Sequence, residues 1–131
     1  MVILVDTNVF IDYSEGEPYA CRFFREAMEK GREIGIIPKV YFECKQMATE
    51  FYKIETILGE LERYGILRKI VPNRQEEKYA ILLNKKSRPL GKFLDDADRL
   101  LIAIGKSRNM SIFSKGRALC EIANLEQVFC L

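Results

Sequence analysis

Apolar residues follow two rhythms along this chain. Met1-Val2-Ile3-Leu4-Val5 is an unbroken aliphatic run that stops at Asp6-Thr7-Asn8, the pattern of a strand buried on both faces in a parallel sheet. After the turn residues Ser14, Gly16 and Pro18, the positions Ala20, Phe23, Phe24, Ala27 and Met28 recur at helical spacing up to Gly31. They predict a helix with one core-facing stripe. Ile34 to Ile37 predicts a second strand, and Pro38 opens another helix, because its fixed φ suits a first turn. From Cys44 to Tyr64, Met47, Phe51, Ile54, Leu58 and Leu61 alternate at intervals of four and three among Lys and Glu, predicting one long helix. Its narrow stripe fits a packing seam within the domain, and would also suit a dimer contact or a partner helix.

Ile66 to Val71 predicts a third strand, closed by Pro72, and Asn73 with Glu76 has the spacing of a capping box opening a helix through Tyr79 and Leu83. The stretch Asn84 to Lys92 reads as a basic loop containing Pro89 and Gly91. Asp95-Asp96-Ala97-Asp98 then starts a helix holding Leu101, Ile102 and Ile104. Met110 to Phe113 predicts a fourth strand, Arg117 to Ile122 a short helix, and Gln127 to Leu131 a fifth strand. Strands alternate with helices throughout, so the predicted class is α/β, a three-layer α/β/α sandwich on a central parallel sheet of about five strands. At 131 residues this is one domain, residues 1–131.

Composition narrows the chemistry. The net charge of +2 is too small to mark a general polyanion binder, so any nucleic-acid argument must be local. The chain has no His, which removes His triads, His bases and His metal ligands. Cys21, Cys44, Cys120 and Cys130 include no C-x-x-C pair and read as small core hydrophobes in a reducing cytoplasm. No apolar run reaches membrane-spanning length, so the expectation is a soluble, cytoplasmic protein.

Carboxylates remain. Ligands of open parallel sheets gather beyond the carboxyl ends of the strands. Asp6 follows the first strand, Glu43 lies early in the helix after the second, and Asp98 lies in the first turn of the helix before the fourth. Each has a local explanation: an Asx turn for Asp6 with Asn8, a helix dipole for Glu43, capping for Asp95 and Asp98. Three acids at three strand–helix junctions are harder to ascribe to capping. Two carboxylates about 4 Å apart repel by roughly 4 kcal/mol at an effective dielectric near 20, so such a cluster calls for a cation. Oxygen donors without His select Mg²⁺ or Mn²⁺.

At these residues the chain resembles the PIN domain, the nuclease fold of VapC-type toxins and of several RNA-processing enzymes. Val5-Asp6-Thr7-Asn8-Val9-Phe10-Ile11-Asp12 resembles the family's opening motif, and Ile37 to Glu43 the segment carrying its glutamate. Asp98 to Gly105 resembles its aspartate-led helix, and Ile112-Phe113-Ser114 the strand that ends in Thr or Ser. The resemblance implies metal-dependent hydrolysis of RNA phosphodiesters, with Asp6, Glu43 and Asp98 as Mg²⁺ or Mn²⁺ ligands and catalytic residues. Asn8, Ser114, Asp95 and Asp96 would support them. Lys85, Lys86, Arg88, Lys92 and Lys115 would meet the RNA backbone, with Arg99 and Arg117 near the same end of the sheet. It also implies a homodimer and an antitoxin partner. One departure stands out: the family commonly has a fourth aspartate where this chain has Gly116. The alternative is therefore a catalytically degenerate PIN-like module that binds RNA or a protein. An aspartyl-phosphate enzyme using Asp6 as nucleophile is a third class, disfavoured because Asn8 stands where that chemistry has its second Asp.

Overall fold

The structure, a computed structural model, describes all residues 1–131. Four strands, β1 (Val2–Val5), β2 (Glu33–Ile36), β3 (Leu67–Lys69) and β4 (Ser111–Phe113), form one sheet in the order β3-β2-β1-β4. Every pairing is parallel. β1 is central and nearly wholly buried, as its uninterrupted aliphatic run requires. Gly35 in β2 leaves room for its neighbours: a Cβ there would lie 2.9 Å from Val2 Cγ1 and 3.0 Å from Leu4 Cδ2.

Seven helices surround the sheet: α1 (Thr7–Ser14), α2 (Pro18–Lys30), α3 (Pro38–Met47), α4 (Phe51–Arg63), α5 (Arg74–Ser87), α6 (Asp96–Arg108) and α7 (Arg117–Leu125). A single core cluster of 29 buried residues runs through β1, β2, β4 and all seven helices, with Phe10, Phe24, Leu61 and Leu101 among its fully buried members.

Several expectations need correction. Asp6-Thr7-Asn8 ends β1 but opens α1, a helix the polar turn-like triplet concealed. The single helix expected from Cys44 to Tyr64 is two, α3 and α4, separated where Ala48 turns extended (ψ 133°). Met47, expected in the apolar stripe, is exposed as a result. Lys85 and Lys86 are on α5 rather than in a loop, because the helix continues to Ser87 before a 3-10 turn at Arg88–Leu90. The fifth strand is reduced to one bridge, Ile112 with Cys130, so the sheet has four strands. Of the four cysteines only Cys44 is buried; Cys120 and Cys130 form a disulfide that ties α7 to this bridge. No helix is long and apolar enough to cross a membrane.

Candidate active site

Strand order reverses at β1, which has β2 on one side and β4 on the other, and the chain crosses over in opposite directions from it. Such a point opens a crevice at the carboxyl ends of the strands. A cleft of about 220 Å³ lies there, lined by Asp6, Thr7, Asn8, Glu43, Asp95, Asp98 and the first residues of α7.

Each acid is positioned by a different element. Asp6 is the residue where β1 passes into α1, and its backbone N–H donates to the Phe113 carbonyl at 3.2 Å. It is 4% exposed. The Ser114 hydroxyl, at the end of β4, donates to Asp6 Oδ2 at 2.7 Å and accepts from the Gly116 N–H at 2.8 Å. Glu43 projects from α3, where the Thr7 hydroxyl donates to its Oε1 at 2.8 Å. Asp95 caps α6, accepting from the Asp98 N–H at 2.8 Å, and Asp98 is the third residue of that helix. Capping and cleft lining are thus compatible in one turn.

The electrostatics of this cleft are unfavourable without a counter-charge. Burial pushes the Asp6 carboxyl up, against the opposing effect of the Ser114 hydrogen bond. Asp98 is pushed up to about 8, first by burial and then by the charges of Asp6, Asp95 and Glu43. The donors are all hard oxygens without imidazole or thiolate, which fits Mg²⁺ or Mn²⁺. No three acidic or thiol side chains converge on one ion-sized point. A cation here would be held partly through water, as Mg²⁺ commonly is.

Not every expected residue joins the cleft. Asn8 lines it and is exposed, and Ser114 stands behind Asp6. Asp96 points elsewhere and pairs with Arg99, whose guanidinium also donates to the Leu94 carbonyl and Asn84. Lys86 is engaged by Glu126 and the Tyr79 ring, Lys92 by Glu121, and Lys115 lies 4.4 Å over the Tyr19 ring. Lys85 and Arg88 are exposed and make no ion pair. Thr7 was not among the expected site residues, although its place next to Asp6 in the opening motif was the available signal. Gly116 lies in the cleft wall, and a Cβ there would sit 3.9 Å from Asp6 Oδ2.

The family model for the PIN domain matches residues 3–125. Among solved structures, VapBC2 from Rickettsia felis bound to a DNA fragment from its promoter is similar at TM-score 0.72 and 12% identity, covering 100% of this chain and 98% of that one. FitAcB from Neisseria gonorrhoeae is similar at TM-score 0.64 and 15% identity, covering 100% and 96%. A toxin–antitoxin complex from Klebsiella pneumoniae is similar at TM-score 0.62 and 16% identity, covering 87% and 86%. No curated protein matches the chain.

Proposed function

The chain belongs to the PIN domain family, and from that membership and the acidic cleft we propose that it is a metal-dependent ribonuclease of the toxin type, hydrolysing RNA phosphodiesters. One observation carries the reading: Asp6, Glu43 and Asp98, far apart in sequence, line a single cleft at the carboxyl ends of parallel strands. Asp6, Glu43 and Asp98 would hold Mg²⁺ or Mn²⁺, directly or through water, with Asp95 beside them. The cation, when bound, supplies Lewis-acid polarisation of a phosphoryl oxygen and acidifies water.

The chain's own residues do the rest. Ser114 fixes the Asp6 carboxylate and Thr7 fixes Glu43, so the anionic oxygens are oriented before substrate arrives. In the cation-free cleft burial and the neighbouring acids push the Asp98 carboxyl up to about 8, so a cation that it held would displace its proton. Arg117 at the cleft mouth, its side chain 94% exposed and paired only loosely with Glu121 at 3.8 Å, is available to meet a phosphate. That the similar structure from Klebsiella pneumoniae is a toxin–antitoxin complex supports an antitoxin as protein partner.

Gly116 supports a second reading, a degenerate module that binds RNA or protein without cutting. The two are separated by one titration. Mg²⁺ or Mn²⁺ should raise the melting temperature of the wild type but not of Asp6→Asn, and generic RNA should be cut only by the wild type. A thermal response without cleavage favours the degenerate module; no response in either protein refutes the metal site.

A further inference from the structure

We propose that Phe93 is a stacking platform for one unpaired base of single-stranded RNA, placed beside the acidic cleft. The inference rests on the cleavage reading above and deepens it, by naming a residue that would hold the substrate.

Phe93 is 84% exposed, the most exposed large apolar side chain in the chain. Solitary exposed hydrophobics are ordinary on protein surfaces, so exposure alone decides nothing. What distinguishes Phe93 is how its backbone is held. On one side Lys92 pairs with Glu121 of α7, the helix whose first residues line the cleft. On the other, Leu94 is 1% exposed in the core and its carbonyl accepts from Arg99 at 2.8 Å. The ring is therefore presented outward from an anchored segment. Two residues span at most about 7 Å of backbone, so the Phe93 backbone lies within that reach of Asp95, a lining residue.

The charge near it favours a nucleic acid strand. Arg117 lines the cleft that Asp95 also lines, with its side chain 94% exposed and only a loose pairing to Glu121 at 3.8 Å. An aromatic face near an exposed cation is the combination that holds single strands, because every base has a π-face and every linkage a phosphate. A paired base, stacked inside a duplex, has no face to offer.

The chain has no Trp, so Phe93→Trp installs its only indole at the proposed contact. The probes are a short oligoadenylate and an abasic ribose-phosphate oligomer of equal length, both in chelator so that nothing is cut. Oligoadenylate should quench the indole fluorescence of Phe93→Trp strongly and the abasic oligomer little. Phe93→Ala should weaken oligoadenylate binding about 10-fold, while Phe93→Tyr retains it. Equal quenching by both probes overturns the proposal. So does unchanged oligoadenylate binding in Phe93→Ala, the result that a purely protein-contacting role would give. Since binding is read without the cation, a chain that never cuts RNA can still pass, and a chain that cuts can still fail.

Discussion

Asp98 binds its proton more tightly in the folded chain than in the unfolded one, because folding buries it and brings Asp6, Asp95 and Glu43 close. Between its ordinary value of 3.8 and about 8 the folded state therefore holds more protons than the unfolded state. Stability of the cation-free protein must fall as pH rises through that window. Asp98→Asn removes this dependence. Its advantage over the wild type should grow between pH 5 and pH 9 by on the order of 2 kcal/mol, since sites built for function carry such strain. Urea unfolding in chelator at the two pH values checks this; an advantage that does not grow would contradict it. Gly116 offers the converse change. Its backbone (φ −72°, ψ 113°) suits any L-residue, and a Cβ would press on the Ser114 hydroxyl at 3.2 Å, a displacement of a few tenths of an ångström. Gly116→Asp should lower the melting temperature without cation, by adding a repelling charge, and tighten Mg²⁺ binding about 10-fold or more, about 1.4 kcal/mol. Thermal shift against Mg²⁺ concentration measures both effects. Unchanged affinity would mean that position 116 is not a missing ligand.

Local signals identified elements wherever local chemistry decided them. The Asn73 and Glu76 spacing is a true capping box, each side chain bonding the other's backbone N–H at 2.8 and 2.9 Å. Asp95 likewise caps α6 as its sequence predicts. Where packing decided, the signal was misleading. A straight helix from Pro38 to Arg63 would be about 39 Å long, and both α3 and α4 pack on the eight-residue α1. Only a break lets both reach it, and neither Pro nor Gly marks the break. Glu76 shows the same limit in reverse. Beyond capping α5, it receives both Nε and Nη2 of Arg108 from α6, at 2.9 and 2.8 Å, and is 2% exposed. Spacing along one helix does not reveal a partner 32 residues away. Glu76→Ala should cost about 2–4 kcal/mol, combining a lost cap with a stranded Arg108. Arg108 holds the Glu76 carboxyl below its ordinary value of 4.5. The stability this pair contributes is thus complete above that value and lost as pH falls through the lowered one. Acid unfolding should begin at higher pH in Glu76→Gln than in the wild type, by a circular dichroism titration.

At the scale of the whole molecule, the parallel class and the acidic rim were legible because β1 is both the most apolar run and the sheet's central strand. Its carboxyl end had to be the crevice. The distribution of cations was not legible, since a run of Lys and Arg does not state which of them find acids after folding. Lys86 and Lys92 are neutralised by Glu126 and Glu121, and Lys115 is drawn onto Tyr19. Lys85 and Arg88 remain uncommitted, and Arg117 is held loosely, at 3.8 Å, by a Glu121 that Lys92 also engages. With three phosphates neutralised on a single strand, log K should fall against log salt with a slope of about −2. That amounts to roughly 20-fold weaker binding between 50 and 200 mM salt. Fluorescence anisotropy with Asp6→Asn and a short single-stranded RNA measures the slope without cleavage. Lys85→Glu and Arg88→Glu should each flatten it by about 0.7, whereas Lys86→Ala and Lys92→Ala should leave it nearly unchanged. A slope carried by Lys86 and Lys92 instead would mean that their ion pairs open when RNA binds, and that the uncommitted cations lie off the path of the strand.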